Sequence, residues 1–425
     1  MVFRNSGAKI LDRNLLQEDE NCKNGDGDKL REVLKITCLR SHSLALYSSS
    51  CWAGLEKMGP LNLGKRNGSI LATVQFSKQQ HPFYSTLKSR VDSYFAEHQL
   101  PTWGNWSLYL KTIILLVSAV ALYIALVVVQ PPVWISVLLC SLFGVNLAAI
   151  GFNVMHDGAH GSFSGKEWVN NVMAYSLNLM GGSSFLWKIK HNMIHHSFTN
   201  VEGIDDDIDI QPWIRTSKFQ PRHWYHRFQN IYWIVLYGLT YFIWVFYKDF
   251  SKYFQQKVAG TPIRSISWQQ HVIFWLSKTG YFVLFLLIPM YYVGVMPTIW
   301  GYLIISSVCG IVLAVVFQLA HVVDETEFHD PQLTDHTLDH DWAIHQVKTT
   351  SNFATRSKWV HWITGGLNFQ VEHHLFPRVS HIHYPALSLL VKETCEQFGI
   401  TYNEHKTVLA AVRSHVSYLR DVGRS

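Results

Sequence analysis

Residues 133–160 read VWISVLLCSLFGVNLAAIGFNVMHDGAH, an apolar run that closes on His156-Asp157-Gly158-Ala159-His160. A bilayer core about 30 Å thick needs on the order of 20 apolar residues in helical form, so the run is long enough to cross. Residues four apart share one helix face, so two imidazoles stand side by side where this segment meets water. The pattern returns at His191-Asn192-Met193-Ile194-His195-His196 and at Gln370-Val371-Glu372-His373-His374, and a lone His321 directly follows another apolar run. A chain with 23 histidines forms one such cluster by chance; three clusters and His321 on one side of a membrane need another reason.

Imidazole suits zinc, copper, iron and nickel. Eight or more nitrogen ligands exceed what one tetrahedral zinc accepts, so the pattern implies two metals, and a pair of irons fits best. The balance of the chain agrees with a membrane setting: of its 425 residues 48% are hydrophobic and only 16% charged, against about 25% charged in soluble domains. The six cysteines show no C-x-x-C pairing, so neither a disulfide framework nor a zinc site is expected. The net charge of +6 is spread through polar loops with no basic run interleaved with aromatics, which argues against nucleic acid and for anionic lipid headgroups or a phosphorylated acyl carrier.

Four segments, about 108–129, 133–154, 272–296 and 299–320, pair into two hairpins. Their turns, Gln130-Pro131-Pro132 and Pro297-Thr298, carry no Lys or Arg, whereas 155–271 carries eleven, from Lys166 to Arg264. The positive-inside bias places that stretch and both termini in the cytoplasm. A fifth apolar segment, 231–247, is expected to lie flat at the membrane surface: if it crossed, His321 and the 370–374 cluster would face the water opposite the other two clusters. From Phe83 to Leu100, the residues Phe83, Leu87, Val91, Tyr94 and Phe95 form one helical stripe, which fits a helix on the membrane surface and a helix packed on the cytosolic domain equally well. Residues 1–68 lack periodicity and are expected to be a disordered extension, with Met58 an alternative start, ahead of one catalytic domain at 69–425.

At this point the residues resemble the membrane fatty acid desaturases. His156–His160, His191–His196 and Gln370–Pro377 look like that family's three histidine boxes, in order and after membrane hairpins, and the resemblance covers about residues 70–410. It implies an all-α integral membrane protein, four transmembrane helices in two hairpins under a cytosolic helical cap that holds a di-iron site. It further implies His156, His160, His191, His195, His196, His373 and His374 as iron ligands and catalytic centre, with His321 added from outside the boxes, and dioxygen as co-substrate. Gln370 is similar to the glutamine of the front-end branch, which inserts a double bond between an existing one and the carboxyl end; it either ligates metal or orients a ligand. That branch often carries a fused b-type cytochrome with His-Pro-Gly-Gly, where this chain has His81-Pro82-Phe83-Tyr84. A separate donor is therefore expected, a ferredoxin or a b-type cytochrome with its reductase, in a bacterial inner membrane rather than the endoplasmic reticulum.

Metal-bound histidines donate their second N–H to carboxylates or carbonyls. Asp157 and Glu372 lie inside the boxes, and Asp205-Asp206-Asp207-Ile208-Asp209 follows the second, with Asp206, Asp207 and Asp209 the candidates for that role; the same run also reads as a solvated acidic loop. Lys188 and Lys190 flank the second box, as phosphate partners or ordinary cytoplasmic lysines, and Trp187, Trp359 and Trp362 are candidates for an acyl tunnel or for interfacial packing. The resulting expectation is a desaturase acting on acyl-CoA or membrane lipid. A lipid hydroxylase or sphingolipid desaturase uses the same centre, and a metal transporter, the rival from another class, would carry its histidines along a pore.

Overall fold

The computed structural model describes residues 74–77, 81–263, 265–332 and 336–425, and the expectation for 1–68 lies outside them. Helices dominate: α1 (Phe83–Glu97), α2 (Trp106–Ile124), α3 (Val133–Ile150), α4 (His156–His160), α5 (Gln229–Ile243), α6 (Trp268–Phe282), α7 (Val295–His321), α8 (Trp342–Lys348), α9 (Gln370–Leu375), α10 (Tyr384–Gln397) and α11 (Val408–Arg424), with further short helices and turns between. Among the described residues the strands are two-residue pairs, parallel for Gln75–Phe76 with Thr337–Leu338 and for Asn352–Phe353 with Glu404–His405, and antiparallel for Lys257–Val258 with Thr261–Pro262, with one isolated bridge between Val201 and His329.

Helix α2 starts where the Asn105 side chain accepts the Ser107 N–H at 3.0 Å, satisfying a donor that has no partner within the helix. With its continuation it runs 24 residues, Trp106–Val129, about 36 Å at 1.5 Å per residue. Val133–His160, Trp224–Gln255, Trp268–Tyr292 and Val295–His321 are also long and apolar enough to cross, which makes five candidates among the described residues. One of the five contains the 231–247 segment expected to lie flat.

The second hairpin turns earlier than expected, at Val293-Gly294 rather than Pro297-Thr298, because Gly294 adopts φ +100°. Pro297 then falls in the first turn of α7, where a missing N–H costs nothing. Two glycines let α7 come close to its neighbours: a Cβ at Gly144 would stand 2.7 Å from the Ile305 carbonyl, and one at Gly310 2.7 Å from that of Tyr237. Helix α1 proves to be a protein-packed helix and not a membrane-surface one. Its Phe83, Leu87, Val91 and Phe95 are buried with Leu387, Val391 and Cys395 of α10, and the Arg90 guanidinium donates to Thr394 at 2.8 Å.

Candidate metal centre

Each histidine cluster is delivered by a helix end. After α3 the chain passes through a wider turn, Gly151–Met155, into α4, which holds His156 and His160 one turn apart with ring centroids separated by 4.6 Å. The second cluster is wound more loosely than an α-helix. The N–H of His196 reaches the carbonyl of His191, five residues back, at 3.1 Å, a winding that is frequent at functional sites. This winding brings His191 and His196 edge to edge at nearly right angles, Nε2 to Nε2 at 3.2 Å, where α-helical spacing would pair only His191 with His195. His321 ends α7, and Gln370, His373 and His374 lie on α9.

These residues converge into two groups. The ligand atoms of His156, His160, His191 and His373 lie within 4.8 Å of one another, as do those of His195, His321 and His374. His196 sits between them, its ring centroid 4.6 Å from His373 and 4.4 Å from His374. All eight histidines are at most 7% exposed. Four of them have the second ring nitrogen held from outside: His195 Nδ1 donates to Asp205 at 2.8 Å, His191 Nδ1 to Asp207 at 3.0 Å, His374 Nδ1 to the Gln346 amide oxygen at 2.7 Å and His373 Nδ1 to the Tyr384 hydroxyl at 3.1 Å. His321 Nδ1 donates to the Thr349 carbonyl at 3.3 Å, and the Gln370 amide donates to His321 Nε2 at 3.0 Å.

With the protons of His195, His373 and His374 held on Nδ1, their Nε2 lone pairs turn inward. These atoms and His160 Nε2 are buried without any hydrogen-bond partner, an arrangement that costs free energy unless a metal takes the lone pairs. Burial first, and neighbouring imidazoles second, push His196, His373 and His374 well below the ordinary histidine range, so they are neutral donors at pH 7. His191 goes the same way through burial, against the pull of Asp207. His195 is the exception: burial lowers it, but Asp205 and Asp207 outweigh burial and its pKa is raised. The donor set therefore fits metal ions.

Several carboxylates have other tasks than the expected one. Asp205, which the run of aspartates did not single out, accepts from His195, while Asp206 pairs with Lys252 and Asp209 caps the Gln211 N–H at 2.9 Å. Asp157 accepts from Ser380 at 2.8 Å and His381 at 2.9 Å, and His381 in turn meets Lys111 at 2.9 Å. Glu372 turns away from the centre to the Asn352 amide and the Tyr402 hydroxyl, both at 2.8 Å; burial raises its pKa to about 7. Asp157 and Glu372 are drawn off because on α4 and α9 they face away from the imidazoles beside them, whereas Asp206 and Asp209 lie in the loop after the second cluster. Gln346, Tyr384 and Thr349 carry no signal in the sequence that marks them as partners of the centre.

A cavity of about 360 Å³ opens beside the first group, lined by His156, His191 and Gln370, by apolar Phe152, Leu313 and Phe317, and by Lys190, Lys248 and Asp206. Trp187 lines it, stacked on His191 at 4.3 Å. Trp359 is instead 79% exposed, and Trp362 borders a separate groove between α2 and α3. Lys190 pairs with Asp207, and Lys188 donates to Asn171 at 3.1 Å.

Residues 132–406 match the family model described as fatty acid desaturase. The chain is 35% identical over 354 residues to the sn-1 linoleoyl-lipid 6-desaturase of Arthrospira platensis, covering 83% of this chain and 95% of that one. It is 37% identical to the enzyme of the same name from Synechocystis sp., covering 82% and 97%. To the acyl-lipid (8-3)-desaturase of Physcomitrium patens it is 36% identical, covering 83% and 74%. The chain therefore belongs to the fatty acid desaturase family, whose oxidoreductase chemistry places double bonds in fatty acyl chains.

Proposed function

We propose that the two histidine groups hold two irons and that the enzyme uses dioxygen to desaturate the acyl chain of a membrane lipid, on the carboxyl side of an existing double bond. The observation that carries this reading is the convergence of inward-facing imidazole Nε2 atoms on a cavity with an apolar wall. Such a pair of irons supplies an oxidant able to take hydrogen atoms from unactivated C–H bonds. Overall, one dioxygen, two electrons, two protons and two substrate hydrogens give two waters and one double bond. His156, His160, His191 and His373 would hold one iron, and His195, His321 and His374 the other, with His196 between them. The Gln370 amide donates to His321 Nε2, the atom that would meet the iron, so it would turn aside for His321 to ligate, and that turn would present its own oxygen to a metal.

The protein's own part is orientation and exclusion of water. Asp205, Asp207, Gln346 and Tyr384 keep Nδ1 protonated and aim Nε2 inward. Trp187, Phe152 and Phe317 wall the cavity with apolar surface suited to methylenes. The names of the relatives favour an acyl lipid over acyl-CoA and the front-end position over others. Residues 69–425 would suffice for this chemistry once a ferredoxin or b-type cytochrome supplies electrons.

The meeting of His156 and His321 in one centre also supports four crossings. If Trp224–Gln255 crossed as well, α7 would end on the face opposite α4. That leaves the centre and both termini in the cytoplasm, with the turns at 130–132 and 293–294 outside. The test is expression in a host without this activity, feeding defined fatty acids, and locating double bonds by gas chromatography with mass spectrometry, with H373A as control. A new double bond lost in H373A supports the reading. A hydroxylated product moves it to hydroxylase, and no product with iron and donor present defeats it.

A further inference from the structure

On the α3 side the cavity is walled by Gly151, Phe152, Met155 and His156. Gly151 opens the wide turn, which closes when the His156 N–H reaches the Gly151 carbonyl. In an α-helix, side chains that share a face are three or four residues apart. The wider turn instead brings position 151 round beneath His156, five residues on, so that both face one cavity.

Nothing in the backbone or the packing calls for glycine here. Its φ of −53° suits any residue. A Cβ at 151 would meet only the ends of two side chains, Leu313 Cδ2 at 3.6 Å and Met180 Cε at 3.8 Å. At Gly158, by contrast, a Cβ would stand 2.7 Å from the Cβ of Met173, and Gly144 and Gly310 face carbonyls equally closely. Glycine is also a poorer helix former than alanine. The missing side chain at 151 therefore supplies one thing, open volume beside a candidate iron ligand and opposite Leu313.

We infer that Gly151 is a specificity-determining residue that leaves room for the acyl chain to pass the metal centre, so that the side chain at this position limits how long a chain is accepted. The inference rests on the reading of the cavity as the acyl site. A leucine at 151 would reach across toward Leu313 and occupy space that methylenes otherwise fill.

The experiment is a competition in cells fed linoleate and hexadecadienoate together, with products mapped by gas chromatography with mass spectrometry and iron measured per polypeptide. G151L at wild-type iron content is expected to lower linoleate product relative to hexadecadienoate product by about tenfold or more, the scale on which an apolar pocket weighs one or two methylenes. G151L/L313A, which returns the shared space, is expected to move the ratio back toward wild type. An unchanged ratio in iron-loaded G151L overturns the inference. If G151L does not accumulate or hold iron, G151A is read instead, since its methyl makes only ordinary contacts, and a wild-type ratio there overturns the inference equally. A wild-type protein that forms no double bond in either acid would defeat the acyl reading of the cavity itself, a result distinct from an active wild type with an indifferent Gly151.

Discussion

Asp205→Asn should loosen the metal centre while leaving the fold in place. The Asp205 carboxylate is 3% exposed and takes three N–H groups: His195 Nδ1 at 2.8 Å, the Asn200 amide at 3.0 Å and the Asp207 amide at 3.0 Å. An asparagine keeps the shape but offers one oxygen, so at least one of the three donors meets an NH₂. With the oxygen toward His195, a charge-assisted bond worth about 1.5–3 kcal/mol falls to a neutral one of about 0.5–1.5 kcal/mol. With the NH₂ toward His195, the ring is pushed to carry its proton on Nε2, the atom that must stay bare. Either way iron affinity should drop about 10–100-fold, as for other residues that orient metal-bound histidines, which is about 1.4–2.8 kcal/mol. The assay is iron per polypeptide after equilibration with graded chelator, alongside thermal melts. D206N is the control: Asp206 is partly exposed and paired with Lys252, a pair worth at most about 1 kcal/mol. If D205N held iron like wild type at every chelator concentration while D206N lost it, the assigned orientation of His195 would be wrong.

Tyr384→Phe removes the hydroxyl that receives His373 Nδ1; losing one neutral hydrogen bond of about 1 kcal/mol should weaken iron retention about fivefold, less than D205N does, in the same chelator titration. Glu372→Gln should keep activity within a few-fold, because burial already raises the carboxyl pKa to about 7 and its partners are Asn352 and Tyr402 rather than a ligand histidine; loss of iron in E372Q would contradict this. Metal-free protein should lose stability as pH falls below about 6.5, where unfolded histidines gain protons. Folded His191, His196, His373 and His374 refuse those protons because burial holds them lower, and only His195 works the other way. Melting curves across that range should show the slope, and H374A should flatten it. Saturating iron should raise the melting temperature of wild type far more than that of H373A, since only the state that binds the metal is stabilised.

Much of this protein is legible along the chain because the relevant signals are local. Apolar runs of membrane length, the three histidine boxes and His321 depend only on composition and short spacing, and the structure gathers seven of the histidines into two groups with His196 between them. Helix α1 was half legible: its stripe is periodic, but periodicity does not say whether the apolar face meets lipid or, as here, α10. The same limit applies to Trp224–Gln255, where length and composition permit a crossing and only the shared location of His156 and His321 argues otherwise. Five neighbouring positions holding four aspartates cannot show which one meets a ring nitrogen. That choice fell to Asp205 and Asp207 because the loop after the second box folds back on His195 and His191. Gln346 and Tyr384 reach the centre only through chain folding, and the wide turns at Gly151 and His191 change which residues share a face without leaving a mark in the spacing. Ligand type and membrane setting were determined by the sequence because they reside in residue chemistry and local repeat. The orientation of each imidazole and the shape of the cavity were decided by tertiary structure, because hydrogen bonds and packing join residues that the chain holds far apart.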